Sequence, residues 1–157
     1  MKIMLIQVGK TNEKYLEEGI GNYVNRLKHY SDFSIVTLPE LKNAKSLSIE
    51  QQKEKDTETI LKSLEPNDDV ILLDEKGKEF TSTEFARYIE KKQASTRKRV
   101  VFVIGGPFGF SQKIYDIANG KVSISRMTFS HQMIRLLFVE QLYRAFTIIK
   151  GEHYHHE

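Results

Sequence analysis

Hydrophobic positions along the chain follow two periods in turn. Lys2–Val8 (KIMLIQV) is a short, nearly continuous apolar run and predicts a buried strand. Between Asn12 and Tyr30, residues Tyr15, Leu16, Ile20, Tyr23, Val24 and Leu27 recur at helical spacing. Asp32–Leu38 alternates apolar and polar, as a second strand does. Pro39 and the polar stretch 41–48 lead to a solvated helix over Ser48–Leu64 with few apolar anchors. Asp68–Asp74 predicts a third strand, bounded by Pro66-Asn67 and a turn around Gly77. A helix over Ser82–Lys92 opens with Thr81 and Glu84 at capping-box spacing, which makes Thr81 the expected N-cap. The fourth strand carries Val100 to Ile104 and breaks into Gly105-Gly106-Pro107 and Gly109. A short helix capped by Ser111 follows, then a fifth strand over Lys121–Ser125. A long helix runs from about His131 to Lys150, with Gly151 as its stop. Strands alternating with helices predict an α/β fold, an open and mostly parallel sheet with helices on both faces. No repeat, low-complexity tract or linker interrupts it, so residues 1–157 read as a single domain.

Composition narrows the class. At 157 residues, 39% hydrophobic and 29% charged, the chain is long enough for one real core and too apolar to be disordered. No apolar run approaches a membrane span, and the first run is too short for a secretory leader. With no cysteine, disulfides, thiolate catalysis and Cys-based zinc sites are excluded. A cytoplasmic location fits these features. The formal net charge of +3 is a mild excess, but its distribution is uneven. Ser48–Asp74 is acidic, whereas Lys91–Arg144 concentrates basic residues in the half that also holds the glycine turn.

A buried strand ending in glycines lets backbone approach a ligand closely. A phosphate-binding P-loop is ruled out, because the Gly77-Lys78 pair has Leu72 where the first glycine belongs and Glu79 where the hydroxyl belongs. A dinucleotide fingerprint fits poorly. The glycines follow the fourth strand, and Ile124–Arg126 supplies no acid at the ribose distance. Another adenosine compound, or a tight turn without a ligand, remains.

The second cluster, Ser123–Phe146, adds a loop (RMTFS) after the fifth strand and a helix that Ser130 can cap. Ligands of open parallel sheets sit at the carboxyl ends of strands. Three such ends bear loops here: LLDEKGK, VIGGPFG and ISRMTFSH. In this order, with VGK near the start, EQLYRA and the closing YHHE, the whole chain resembles the SPOUT class of S-adenosylmethionine-dependent RNA methyltransferases. More narrowly it is similar to the RlmH-type family, which methylates N3 of a pseudouridine in 23S ribosomal RNA. Ser130 stands where that family often has proline.

The resemblance implies a methyl donor, S-adenosylmethionine, bent between the three loops, with no metal. Its contacts map onto Leu73, Gly105, Ile124, Ser125, Arg126, Met127, Thr128 and Phe129. It also implies a homodimer, a C-terminal trefoil knot, and a substrate in 23S rRNA or the ribosome. The last helix agrees with a dimer in its pattern. Ile134, Phe138, Leu142, Ala145 and Ile149 form one stripe, and Met133, Leu136, Leu137, Tyr143 and Ile148 lie on other sides, so it is buried on more than one face. Removing the imide proton of the target needs a base or a cation. His131, Arg144, Tyr154 and His155 are the catalytic candidates, with Arg135 and His156 beside them; Arg135 and Arg144 suit phosphate instead. The tail HYHHE is expected to leave the helix as an extended segment, with Tyr154 able to stack on a base and His155 able to relay the proton. It lacks the spaced ligand set of a metal site. The rival from another class is a non-catalytic RNA-binding or ribosome-associated module, which would not bind the donor.

Overall fold

The computed structural model of the protein describes residues 1–95 and 97–156. Its strands are β1 (Lys2–Val8), β2 (Asp32–Leu38), β3 (Asp69–Glu79), β4 (Arg99–Val103) and β5 (Gly120–Ser123). Its helices are α1 (Lys14–Leu27), α2 (Ile49–Ser63), α3 (Ser82–Gln93), α4 (Gln112–Ile117) and α5 (Met133–Ile149). The strands form one sheet in the order β2-β1-β4-β3-β5, and every named pairing is parallel, a step beyond the mostly parallel sheet expected.

Side chains of a strand alternate between faces, and here both faces are covered. Ile3, Leu5, Ile71, Val100 and Phe102 join α1, α3 and α5 in one core through Leu16, Ile20, Phe85, Ile89, Phe138 and Leu142. Met4, Ile6, Leu72, Val101 and Val103 meet Ile60 of α2 and Ile114 of α4 on the other face. Helix α5 lies against both α1 and α3. Much of the multi-sided burial read from its pattern is therefore supplied within the same chain. No helix among the described residues is long and apolar enough to cross a membrane.

Three local features differ from the pattern, each for a local reason. β3 does not stop at Asp74 but resumes to Glu79 after an irregularity between Leu73 and Lys78. Gly77 permits this: a Cβ there would sit 2.7 Å from the Lys121 and Val122 backbone, so only glycine lets β5 lie this close. β5 ends at Ser123, because the Ser123 hydroxyl donates to the Ser125 carbonyl and the Ser125 hydroxyl accepts from Met127 N–H, which curls the chain into a loop. Ser111 precedes α4 but does not cap it with its side chain; its hydroxyl is hydrogen-bonded to Thr57 of α2 at 2.6 Å. Thr81 and Glu84 form both bonds of the expected capping box.

Candidate active site

The carboxyl ends of β3, β4 and β5 open into one cleft of about 630 Å³, a size typical of small-molecule sites. Seven of the eight residues expected to hold the donor line it: Leu73, Gly105, Ile124, Ser125, Met127, Thr128 and Phe129. Arg126 does not. Its side chain is 82% exposed and lies 3.7 Å from Glu79, since the turn after β5 points it to solvent. Leu73 is buried, while Met127 and Phe129 are exposed at the rim.

The glycine turn after β4 folds on itself through a bridge between Gly106 and Gly109. A Cβ on Gly105 would press at 3.2 Å on the Gly109 backbone and the Phe110 ring. The missing side chain is thus needed for the turn to close, rather than only for space beside a ligand. Helix α2 braces the turn from outside. Asp56 stands where a Cβ on Gly106 would be, and burial, helped by Glu40, pushes its carboxyl above the ordinary range. Glu50 and Lys53 of α2 also reach the cleft.

The pattern marks Ser48–Asp74 as acidic but places no carboxylate in the cleft. Asp74 accepts from the Tyr115 hydroxyl and from Lys76 N–H, and Glu75 accepts from the Thr128 hydroxyl. The Glu75–Thr128 contact joins the loops after β3 and β5. These pairs lie 41 and 53 residues apart, so no local period announces them.

His131 lines the cleft as well. Burial and the nearby Arg135 charge hold its imidazole below the ordinary value, against an opposing pull from Glu40. Arg135 itself does not face phosphate. It is 0% exposed and spends its guanidinium on backbone carbonyls and the Thr11 hydroxyl, which corrects its reading as an anion-binding residue.

The remaining candidates assemble elsewhere, on α1 and α5. Tyr154 donates to Glu140 at 3.0 Å, and its hydroxyl is 3.2 Å from that of Tyr23. Arg144 is paired with Glu140 at 2.6 Å and lies 4.6 Å from the centre of the Tyr154 ring. The Arg144 guanidinium also lies 3.0 Å from Nδ1 of His155. A guanidinium only donates, so this Nδ1 accepts and the ring proton of the neutral form sits on Nε2. Burial, with the Tyr23 and Glu140 contacts, pushes the Tyr154 phenol far above its ordinary value. The tail does not extend away from α5 as expected. It turns back along the helix because Glu152 accepts from Tyr30 and Tyr154 reaches Glu140. Glu157, the last residue of HYHHE, lies outside the described residues. Neither Tyr154, His155 nor Arg144 lines the cleft of its own chain. Among the described residues, no group of three or more His, Asp or Glu could hold a metal ion.

A parallel sheet whose carboxyl-end loops enclose a cleft of apolar walls and polar groups is the architecture of a nucleotide-type ligand site, and comparison defines its class. The family described as "Predicted SPOUT methyltransferase" matches residues 1–155, and the chain belongs to this family. Within it, the chain is 60% identical to the ribosomal RNA large subunit methyltransferase H of Phocaeicola vulgatus. It is 59% identical to that of Bacteroides fragilis and 58% to that of Parabacteroides distasonis. Each match spans 157 residues and 100% of both chains. Among solved structures, a probable methylase family protein from Haemophilus influenzae Rd KW20 shares the fold, with a TM-score of 0.50 at 15% identity over 95% of this chain and 66% of that one.

Proposed function

We propose that this chain transfers a methyl group from S-adenosylmethionine to N3 of a pseudouridine in 23S ribosomal RNA, acting on the ribosome in the cytoplasm as a homodimer. The observation that carries this reading is the convergence of three strand-end loops on one cleft, in a chain 58–60% identical from end to end to large subunit methyltransferases H.

The cleft suits the donor chemically. Leu73, Ile104, Ile124, Met127 and Phe129 offer apolar walls for an adenine, and the loop backbones offer donors and acceptors. Asp74, Glu75 and Glu50 supply negative charge for a cationic ligand. When bound, S-adenosylmethionine supplies a methyl group already activated on a sulfonium. The chain must then align the target nitrogen and remove its proton. His131 lines the cleft and offers an imidazole nitrogen for the proton, with its basicity lowered by burial and the Arg135 charge. Tyr154 stays protonated and serves as a donor or contact, not as the base. Arg144 carries the cation that stabilises a deprotonated imide. Because the tail cluster and the cleft are separate in one chain, the homodimer is what brings the tail of one copy to the cleft of the other.

The test is methyl transfer to ribosomes from a strain lacking the modification, with isotope-labelled donor and mass spectrometry of nuclease digests. N3-methylpseudouridine carrying the label is the expected product. Absence of both transfer and donor binding would leave a binding module instead.

A further inference from the structure

Arg135 is the largest of the fully buried side chains, yet it carries a charge. It sits in the first turn of α5, where the positive end of the helix dipole disfavours a cation. Burial also disfavours its charged form, and Glu40 acts on it only through space. Among the described residues no carboxylate pairs with it. What it has instead is a set of four hydrogen bonds. Its guanidinium donates to Val8 O at 2.8 Å, Gly9 O at 3.0 Å and Thr11 Oγ1 at 3.0 Å, and its Nε donates to His131 O at 3.1 Å. Gln132 extends the contact: its amide donates to Lys10 O at 3.0 Å, and its carbonyl accepts from Asn12 N–H at 2.9 Å. The turn is anchored on its other side as well, since Gly9 N–H donates to Leu38 O at 2.7 Å.

A buried cation without a partner carboxylate is poor value for stability, because an apolar residue of similar volume costs less to bury. Features that break local rules in this way concentrate at functional sites. The bonds of Arg135 and Gln132 join the turn Val8–Asn12, which contains the VGK motif, to the segment immediately after the RMTFS loop. Met127, Thr128 and Phe129 of that loop, with Ser125 before it and His131 after it, line the cleft.

We propose that Arg135 is a positioning residue for methyl transfer: with Gln132 it clamps the third loop of the cleft, through the His131 backbone, to the β1–α1 turn. This rests on the cleft being the donor site. The planar fork is essential, because it reaches Val8, Gly9, Thr11 and His131 at once. A lysine ammonium keeps the charge but cannot reproduce that geometry.

The experiment compares Arg135→Lys with Arg99→Lys, an arginine at the opposite end of the sheet. S-adenosylmethionine affinity is measured by calorimetry well below each Tm, and the His131 ring resonances are followed by NMR. Expected for Arg135→Lys is a loss of donor affinity of about tenfold or more, with displaced His131 resonances. Arg99→Lys lowers Tm and leaves both readouts unchanged. Thr11→Val and Gln132→Ala, at the partly exposed edge of the clamp, are measured alongside and carry the test alone if Arg135→Lys does not fold; each is expected to weaken donor binding severalfold. Unchanged affinity in folded Arg135→Lys, or in both edge variants, overturns the clamp while sparing the cleft. A wild-type protein that binds no donor overturns the reading of the cleft, and the clamp with it.

Discussion

Arg99 and Arg135 stand at opposite ends of one sheet and are held in opposite ways. At the amino end, Arg99 opens β4 and grips Asp68 through two bonds of 2.9 and 2.7 Å. Glu65 lies 3.4 Å from the same guanidinium, and Lys92 pairs with Asp69 at 2.8 Å. Each buried charge there has an opposite charge in contact. At the carboxyl end, Arg135 is more deeply buried and finds carbonyls and a hydroxyl but no carboxylate. The glycine turn, the exposed Phe108, Met127 and Phe129, and the acidic groups Asp74 and Glu75 also gather at that end. Saturated charge pairs specify how chain segments meet and need nothing further. Exposed apolar rims around a cleft with acidic groups are what a ligand completes. The contrast separates changes that should cost stability from those that should cost chemistry.

The sharpest break comes from the tail. Deleting Tyr154–Glu157 removes Tyr154 from Glu140 and His155 from Arg144 but no lining of the cleft. Methyl transfer is expected to fall by about 100-fold or more, with donor affinity retained. In the proposed homodimer, mixing this chain with a Gly105→Val chain should restore part of the activity, because one intact cleft would then face one intact tail. No recovery would place the tail and cleft of the same chain together instead.

Next is the glycine turn. Gly105→Val forces branched carbons against the Gly109 backbone and Phe110, already 3.2 Å from a single Cβ. Donor affinity should fall by more than about tenfold in calorimetry, while the amino-end pairs remain undisturbed. A folded variant with wild-type affinity would remove the turn from the donor site.

The amino end should respond in the other currency, stability. Asp68→Asn breaks a buried pair and is expected to cost about 3 kcal/mol in denaturant unfolding, with donor affinity unchanged. A pH signature accompanies it. Burial pushes the Asp68 carboxyl up, but the Arg99 bonds, the Glu65 backbone N–H and the Arg99 charge outweigh this and hold it below 3.8. A carboxyl with a lowered folded pKa contributes stability that is fully present above its unfolded value and is lost as pH falls through the folded one. Wild-type Tm should therefore drop steeply below about pH 3.8, and Asp68→Asn should flatten that slope.

The smallest effect is expected at Arg126. Its exposed contact with Glu79 is worth about 0–1 kcal/mol at most. Arg126→Ala should leave Tm and donor affinity within error in the same two assays. A large loss of affinity would return its side chain to the cleft.

Elements with a strong period were readable without coordinates. β1 and β2 begin and end where the pattern places them, and the Thr81 capping box and the Ser130 contact with Met133 N–H are present. These depend on neighbours a few positions apart, which the linear order already supplies. The three strand-end loops were readable too, because glycines and a break in apolar period mark where strands end. That Asp74, Glu75 and Tyr115 lie inside the cleft between them, and Arg126 outside, was not. Each of those placements depends on segments dozens of residues apart and on the turn in which a side chain happens to sit.

The chain alone determined the alternation of strand and helix, the placement of apolar positions on both faces of the strands, and the family to which the motifs belong. Only the tertiary structure decided the strand order β2-β1-β4-β3-β5, the return of the tail onto Glu140, and the burial of Arg135. The physical reason is the same in each case. Periodicity is a property of adjacent residues and survives in any arrangement of the elements. A buried guanidinium without a carboxylate is tolerable only where other acceptors converge on it, and Val8 and Gly9 lie 127 and 126 residues away along the chain.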